Sequence, residues 1–343
     1  MNINTYLKIF LSIVVTFGTL HVGSLVLFIY KPEIFYHRHL EYFADIALRV
    51  KGAPLFWHGP EQGDLGRRYL FTYADSYVTT VTVDEEGFRG RRLEADSYPV
   101  LVAGDSTIYG ILLSDDETLP WRLSSRLGVP VFNGGRVKLS VVLAHPAIRE
   151  TKIVIDGWTE RNITPSQLEA AKLDLSTQYG PSGSRTLSLM DAVSEIPPRR
   201  YSLPFKMLNW SGRLFKDIKN YLRGGRQPYL FERHKMKPED FDETVKLIVE
   251  RSKAVEASGR QYVFLPVPAK QTFYATDVDD YTRDFIPKLV ARLRGSGVEA
   301  VDLSAAFDAE KSRGLYFPYD THWNGAATEI AATVLAREVF HKN

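Results

Sequence analysis

The chain of 343 residues contains no cysteine. This absence excludes a disulfide scaffold, a thiol nucleophile and a thiolate metal site, and it fits an oxidising compartment in which stray thiols are a liability. No spacing among the eight histidines indicates a metal pair, so the sequence predicts neither a metal nor a cofactor. The net charge of only +2 gives no indication of a nucleic acid partner, and none is predicted.

Charged residues are also missing from residues 9–30, which carry no Asp, Glu, Lys or Arg. At helical rise these residues span about 33 Å, enough for the hydrocarbon core of a bilayer. A cleaved signal peptide would have a shorter apolar core and a small-residue cleavage site, and neither is clear. The pattern therefore predicts a membrane anchor over residues 1–31. Its orientation is not set by charge, because Lys8 on one side is matched by Lys31 and Arg38 on the other.

Alternating strand and helix patterns begin at residue 98 and predict an α/β domain over residues 98–343, with a central parallel sheet. In such sheets ligands bind beyond the carboxyl ends of the strands. Apolar runs predict strands at residues 98–104, 129–135, 151–158, 261–268 and 298–304, and helical spacing predicts helices at 116–128, 241–259 and 283–297.

Two regions depart from this alternation. Residues 32–97 form a predicted juxtamembrane connector that ends in short strands. Residues 164–240 form a predicted basic insertion, in which residues 199–226 hold eight Lys or Arg against one acid, Asp217. Three interpretations stay open for this segment: an amphipathic helix packed on its own domain, a contact with the membrane surface, or a groove for an acidic polysaccharide.

A candidate nucleophile follows the first strand of the domain, in the stretch GDSTIYG at residues 104–110. Ser106 at the tip of a strand-to-helix turn would expose its hydroxyl at the sheet edge. The preceding glycine allows a tight turn, and the helix amides face developing negative charge. Gly-Asp-Ser is nevertheless common, and Ser106 could equally cap the helix.

The stretch FPYDTHWNG at residues 317–325 supplies the partners that a serine nucleophile needs. Asp320 and His322 lie two residues apart, so in extended backbone their side chains project to the same side. Asn324 is a favoured N-cap for the helix that follows. Ser106, His322 and Asp320 are therefore a candidate catalytic triad, with an early nucleophile and a late acid and base.

These motifs resemble those of the SGNH/GDSL hydrolase superfamily over about residues 80–343. VLVAGDSTIYG matches the nucleophile block, and VFNGGR (131–136) is similar to the family's Asn-x-Gly turn. Asp-x-His followed by Trp looks like the alginate O-acetyltransferase-like branch, as do PVPAKQTFY (266–274) and DEEGFRG (84–90). The resemblance implies a three-layer α/β/α SGNH-like domain behind one N-terminal transmembrane helix. The order of serine before histidine differs from that of alginate acetyltransferases proper.

The resemblance also implies an oxyanion hole that includes the backbone amides of Ser106 and Gly135. The third family block normally reads Gly-x-Asn-Asp, whereas residues 153–162 here read IVIDGWTERN. The third donor therefore stays open between the Thr159 hydroxyl and Arg161.

Three further residues are candidate substrate contacts. Trp158 and Trp323 would stack on a sugar ring, or else belong to the core or a lid, and Lys270 lies in the segment shared with the acetyltransferase-like branch.

The resemblance implies a serine-dependent O-acyltransferase, transferring acetyl through an acyl-enzyme to an extracytoplasmic or secreted polysaccharide. Its expected place is the bacterial inner membrane, with the catalytic domain facing the periplasm or the outside. The acyl donor would be delivered by a multi-pass membrane acyltransferase. Two alternatives stay open: an SGNH esterase or deacetylase acting on acylated glycans, and an inactive carbohydrate-binding or scaffold subunit.

Overall fold

The computed structural model describes residues 3–30, 55–63, 76–84, 87–90, 95, 97–176, 196, 202, 204, 237–275, 280–318 and 320–341. The predicted connector is described only in part. Of the basic segment at residues 199–226, only residues 202 and 204 are described, so the interpretations of that segment lie outside the described residues.

The N-terminal apolar segment is one helix, α1 (Ile3–Tyr30), of 28 residues. At 1.5 Å per residue it is about 42 Å long, more than the thickness of a hydrocarbon core. By length and composition α1 is a candidate membrane span, although a signal sequence near the N-terminus has the same properties.

A two-stranded antiparallel sheet precedes the main domain and consists of β1 (Leu55–Gln62) and β2 (Ser76–Val83). Strand β2 is attached to the main domain by two backbone amides. The amide of Thr80 donates to Ser114 Oγ over 3.1 Å, and that of Thr82 donates to Asp115 Oδ2 over 2.8 Å. This small sheet therefore packs beside the segment that follows the candidate nucleophile.

The main sheet has five parallel strands in the order β4-β3-β5-β6-β7, which confirms the predicted α/β class. All five predicted strands are present, with bounds that differ from the predicted ones by a few residues. They are β3 (Val100–Gly104), β4 (Val131–Gly135), β5 (Ile153–Thr159), β6 (Gln261–Val267) and β7 (Glu299–Ala300).

Helices cover both faces of this sheet. Alternate residues of each strand therefore pack into two separate cores, one on each face. Val100 and Val102 of β3 belong to one core, whereas Leu101 and Ala103 belong to the other. This alternation is the two-residue period of a strand buried on both faces. The first core is packed by α2 (Ser106–Tyr109), α3 (Leu119–Leu127), α9 (Ser304–Glu310) and α10 (Gly325–Glu338). The second is packed by α4 (Leu139–Leu143), α5 (Pro165–Ala170), α6 (Phe241–Glu256) and α8 (Asp280–Gly295).

Local capping sets where the predicted helices begin. Helix α3 begins at Leu119, later than predicted, because Asp115–Glu117 form a 3₁₀ turn and Thr118 then caps the helix. Helix α10 begins after Asn324, whose side-chain oxygen accepts the amides of residues 326 and 327 over 3.0 and 3.3 Å. The N-cap predicted for Asn324 is therefore confirmed. The short helix α7 (Lys270–Tyr274) follows β6 at the carboxyl edge of the sheet.

Candidate active site

Ser106 is the first residue of α2 and lies just past the carboxyl end of β3. The cap of this helix is Asp105 and not Ser106, since Asp105 Oδ1 accepts the amide of Thr107 over 2.8 Å. The other oxygen of Asp105 accepts the Thr159 amide over 3.1 Å and the Asn162 side chain over 2.9 Å. Asp105 thus ties the nucleophile turn to the end of β5 and leaves the Ser106 hydroxyl available for another partner.

That partner is His322, whose Nε2 lies 2.8 Å from Ser106 Oγ. His322 Nδ1 in turn is hydrogen bonded to Asp320 Oδ1, which also accepts the backbone amide of His322 over 2.8 Å. Both Asp320 and His322 are buried. With Nδ1 donating to the carboxylate, a neutral imidazole must accept at Nε2, the arrangement a general base for Ser106 requires. The fold therefore brings together the three side chains that the sequence proposed as a triad.

Residues 317, 318 and 320–322, here called the acid–base loop, include Asp320 and His322. The Asp320 amide donates to Phe317 O over 3.3 Å, and the Phe317 amide donates to His322 O over 3.2 Å. Trp323, directly after the loop, forms an antiparallel bridge with Tyr316. These bonds close the turn on itself, so the acid and base keep a fixed spacing.

Three glycines let α2 lie directly against the strand ends. A Cβ atom on Gly135 would lie 2.3 Å from the amide nitrogen of Tyr109, and one on Gly157 would lie 2.4 Å from Ile108 Cδ1. Gly104 has φ +154°, and its Cβ would lie 2.2 Å from the carbonyl oxygen of Gly157. Side chains at these positions would push the nucleophile helix away from the sheet.

Arg89 fixes the other end of α2. Its buried guanidinium donates to Asp115 Oδ1 over 3.0 Å and to the carbonyls of Tyr109 (3.1 Å), Gly110 and Leu113. Four acceptors on one guanidinium hold the turn that follows the nucleophile helix. The motif DEEGFRG contains this residue, but the sequence did not indicate its partners.

The predicted oxyanion donors are only partly consistent with the structure. The Gly135 amide donates to Asn133 Oδ1 over 3.0 Å, and the Thr159 hydroxyl is paired with that of Thr107 over 2.7 Å. Both groups therefore already have partners, and these contacts do not match the predicted roles. Arg161 is half-buried in the 3₁₀ turn after β5, and Ser106 opens α2. These two residues stay candidate donors.

The prediction that Trp323 stacks on a sugar is wrong. Its side chain is fully buried, and its indole nitrogen donates to the carbonyl of Thr107 over 3.0 Å. Trp323 therefore belongs to the core, where it joins the acid–base loop to the nucleophile helix. Trp158 belongs to the second core, on the face of β5 away from α2, and its ring centroid lies 5.6 Å from the guanidinium carbon of Arg251. Its side chain is half-buried, and a sugar contact at Trp158 stays a prediction.

The predicted substrate contact at Lys270 is also wrong, because its ammonium group is already used. Lys270 is buried, and Nζ donates to the carbonyls of Phe317 (2.7 Å), Pro318 (2.8 Å) and Asp320 (3.2 Å). A lysine ammonium has three donors, and all three point to the acid–base loop. Lys270 is therefore a positioning residue for Asp320 and His322.

Glu160 supports the same corner from the end of β5. Its Oε2 accepts the amide of Ala269 over 2.8 Å and the hydroxyl of Thr272 over 2.7 Å, which fixes the start of α7 next to Lys270. Burial raises the pKa of Glu160 to about 7, and the same two hydrogen bonds limit the rise. The sequence analysis assigned no role to Glu160, which appears there only within the stretch IVIDGWTERN.

Replacing Lys270 by methionine is expected to lower kcat by about 10- to 100-fold, because a loosened acid–base loop no longer fixes His322 against Ser106. Methionine fills the space of the aliphatic stem and removes one hydrogen-bond donor from each of three carbonyls. The control is Lys253→Met, which changes an exposed lysine on α6. Equal kcat values for Lys270→Met and Lys253→Met, measured by serine-dependent ester hydrolysis, would contradict the positioning role.

The same variant tests the pKa of Lys270, which burial lowers from 10.5 to about 8. Between pH 8 and 10.5 the unfolded chain binds more protons at this residue than the folded chain does. The contribution of Lys270 to the free energy of unfolding therefore rises with pH across this window and falls as the pH drops through 8. Thermal unfolding from pH 7 to 10 should show wild type gaining stability relative to Lys270→Met as pH rises, while Lys253→Met shows no such trend.

One known family is similar to the C-terminal part of the chain. Residues 222–343 match the family described as "SGNH hydrolase-like domain, acetyltransferase AlgX". The matched segment contains Asp320 and His322 but begins after Ser106. Over this segment the chain is similar to an SGNH hydrolase-like domain, which supports the superfamily and the branch that the motifs predicted.

A curated relative points to the same branch. The "Probable alginate O-acetylase AlgJ" of Pseudomonas putida is 29% identical over 153 residues, which cover 40% of this chain and 40% of that protein. The chain thus matches less than half the length of this relative.

Two solved structures are similar at lower sequence identity. One is a candidate SGNH hydrolase from Slackia heliotrinireducens, 14% identical, covering 71% of this chain and 99% of that one, with a TM-score of 0.35. The other is protein YXIM of Bacillus subtilis, 12% identical, covering 79% of this chain and 63% of that one, with the same TM-score. At this TM-score the two likenesses add nothing to the sheet topology described above.

Proposed function

We propose that this domain is a serine-dependent O-acetyltransferase that modifies a polysaccharide outside the cytoplasm. One observation carries the proposal: Ser106 Oγ, the His322 ring and the Asp320 carboxylate form a continuous hydrogen-bonded chain at the carboxyl edge of the sheet. The similarity to the AlgX domain and to a probable alginate O-acetylase supports acetyl transfer to a polysaccharide.

The proposed reaction has two halves that use the same three side chains. In the first, His322 Nε2 takes the Ser106 proton, and Ser106 Oγ attacks the acetyl carbonyl of the donor. The imidazolium then protonates the leaving group, and an acetyl-serine remains. In the second, His322 takes a proton from a sugar hydroxyl, whose oxygen attacks the acetyl-serine carbonyl. The imidazolium then returns this proton to Ser106 Oγ as the bond between Oγ and the acetyl carbon breaks. Asp320 holds Nδ1–H throughout and stabilises the imidazolium.

Each half passes through an oxyanion that requires hydrogen-bond donors. The Ser106 amide, at the start of α2, and the Arg161 side chain are the proposed donors. The Gly135 amide and the Thr159 hydroxyl contact Asn133 and Thr107 instead. Loss of one such donor typically raises the barrier by about 3 kcal/mol. Whether water or sugar takes the acetyl group depends on how well the site excludes water and orients the hydroxyl.

The proposed setting is the bacterial inner membrane, with α1 as a single span and the SGNH-like domain on the periplasmic side. The helix is long and apolar enough for this role. Acetyl groups made in the cytoplasm would have to cross the membrane to reach Ser106, so a multi-pass membrane protein is the proposed source of the donor.

The decisive experiment follows the full-length protein in detergent with p-nitrophenyl acetate, with and without oligosaccharides. We expect release of nitrophenol that depends on Ser106 and leaves acetyl groups on the sugar. Ser106→Ala removes the nucleophile, and Ser296→Ala is the matched control at an exposed serine.

Two other results would change the assignment. Release that depends on Ser106 but never acetylates a sugar would identify an esterase, which the same triad supports chemically. Release by wild type no faster than by Ser106→Ala would overturn the enzyme assignment and favour a silent scaffold subunit.

A further inference from the structure

Tyr77 lies on β2, in the small two-stranded sheet, and contacts the acid–base loop of the candidate site. Its ring centroid lies 4.5 Å from that of Phe317, with an angle of 61° between the ring planes. This edge-to-face geometry is favourable for aromatic pairs. Tyr77 is half-buried and packs against the first core, to which Phe317 belongs. A side chain from outside the α/β domain therefore touches the loop that carries the acid and the base.

Phe317 links this contact to the candidate triad. Its backbone amide donates to the carbonyl of His322 over 3.2 Å, and its own carbonyl accepts the ammonium group of Lys270 over 2.7 Å. The amide of Asp320 donates to the same carbonyl over 3.3 Å. The peptide groups of Phe317 thus hold the acid–base loop together, and its ring is the part of the loop that Tyr77 contacts.

The other end of β2 is joined to the segment that follows the nucleophile helix. Asp115 Oδ2 accepts both the amide of Thr82, over 2.8 Å, and its hydroxyl, over 2.6 Å. Asp115 Oδ1 accepts the guanidinium of Arg89, which also holds the end of α2. Tyr77 and Thr82 are five residues apart, about 17 Å along a strand. One strand therefore contacts both the nucleophile side and the acid–base side of the candidate site.

Side chains alternate along β2 between a face toward the domain and a face away from it. Tyr77 shares its face with Thr79 and Val81, which are both buried. Val78 is on the opposite face and is 64% exposed. The contact with Phe317 therefore continues a buried row of side chains, and Val78 offers a matched control at the neighbouring position.

We propose that Tyr77 is a positioning residue, which holds the acid–base loop through its ring contact with Phe317 and thereby keeps His322 within reach of Ser106. The β1–β2 sheet is then a working part of the candidate active site and not a spacer that precedes the domain. Tyr77 lies before about residues 80–343, over which the motifs resemble a known superfamily, and none of those motifs includes it. This inference rests on the proposed function, because it requires that His322 acts on Ser106.

Two readouts that need neither an acetyl donor nor a sugar test this role in the full-length protein in detergent. One is the rate at which a fluorophosphonate probe labels Ser106, and the other is hydrogen exchange of the amides of Phe317 and Asp320. For Tyr77→Ala we expect about 10-fold slower labelling and about 10-fold faster exchange of both amides, because the loop leaves its position more often. Tyr77→Phe keeps the ring and should restore at least half of the wild-type labelling rate. Val78→Ala should match wild type in both readouts.

A double-variant cycle separates action through Phe317 from a general loss of stability. If Tyr77 acts through Phe317, adding Tyr77→Ala to Phe317→Leu should slow labelling no further than Phe317→Leu alone does. Independent structural roles would instead multiply the two losses. Should Tyr77→Ala not fold, Tyr77→Leu takes its place in the cycle, since it keeps an apolar side chain of similar reach.

Three results would overturn the inference: multiplied losses in the cycle, wild-type labelling and exchange in Tyr77→Ala, or labelling of Tyr77→Phe as slow as that of Tyr77→Ala. Failure of the proposed function would give a different result. In that case the probe would not label Ser106 even in wild type, while exchange of the two loop amides would still show whether Tyr77 holds the loop.

Discussion

Replacing Asp320 by asparagine is expected to lower kcat by about 10³- to 10⁴-fold while the protein stays folded. Asp320 is fully buried, and its Oδ1 accepts both the ring Nδ1–H and the backbone amide of His322. An asparagine amide of the same shape can donate to Nδ1, and the imidazole proton then moves to Nε2. That tautomer cannot accept the proton of Ser106 over the 2.8 Å contact.

The Asp320→Asn experiment needs a readout that separates chemistry from folding. Lys270 contacts the backbone carbonyl of residue 320 and not its side chain, so the acid–base loop should keep its position. We expect an unchanged near-ultraviolet circular dichroism spectrum and loss of labelling by a fluorophosphonate serine probe. Asp308→Asn, at an exposed aspartate of α9, is the control. Retention of more than a tenth of wild-type kcat by Asp320→Asn would argue against His322 as a base that is oriented by this carboxylate.

The residues of the candidate triad could be found from the sequence because each motif is local and chemically distinctive. The serine directly follows an apolar strand, and the Asp-x-His pair directly precedes a helix. Both positions can be recognised in the sequence of any fold that alternates strands and helices. The parallel sheet was predictable for a related reason: five apolar runs are separated by helical spacing, and a strand buried on both faces must be apolar throughout. The distance of 2.8 Å between Ser106 and His322, 216 residues apart, was not predictable.

The supporting residues were misread because their partners come from distant parts of the chain. The sequence does not show whether a tryptophan beside a histidine faces solvent or the core. The ring of Trp323 is in the core, where its indole N–H donates to the carbonyl of Thr107. Lys270 lies in a segment similar to the acetyltransferase-like branch, and was therefore predicted to contact the substrate. Its ammonium group instead donates to three backbone carbonyls. Backbone carbonyls are present at every residue, so the sequence does not show which of them a lysine will contact. Arg89 was recognisable as part of a motif, but the carbonyls that it holds are set by the end of α2.

These supports share one physical task, which is to hold two short segments against each other. Arg89 fixes the end of α2, and Lys270, at the start of α7, fixes the acid–base loop. Trp323 then joins the two segments directly. A general base must stay within hydrogen-bond reach of its nucleophile, and a helix of four residues cannot hold that position alone.

Gly135→Ala is expected to be among the most damaging single-methyl changes in the described part of the chain, because the new atom would meet backbone and not a flexible side chain. The alanine Cβ would lie 2.3 Å from the amide nitrogen and 2.5 Å from the Cα of Tyr109. Helix α2 must then move outward, which carries Ser106 away from His322. A displacement of about 1 Å costs roughly 100-fold in kcat, and the overpacking costs about 1–3 kcal/mol of stability.

The matched control is Gly295→Ala at the end of α8, where an added Cβ meets nothing within 4 Å. Kinetics and thermal unfolding of both variants should separate the two sites. Gly295→Ala should keep wild-type kcat, whereas Gly135→Ala should lose activity at temperatures well below its own unfolding transition. If Gly135→Ala kept both activity and stability, α2 could not be held by direct contact with the end of β4. The account of how the sheet positions Ser106 would then be wrong.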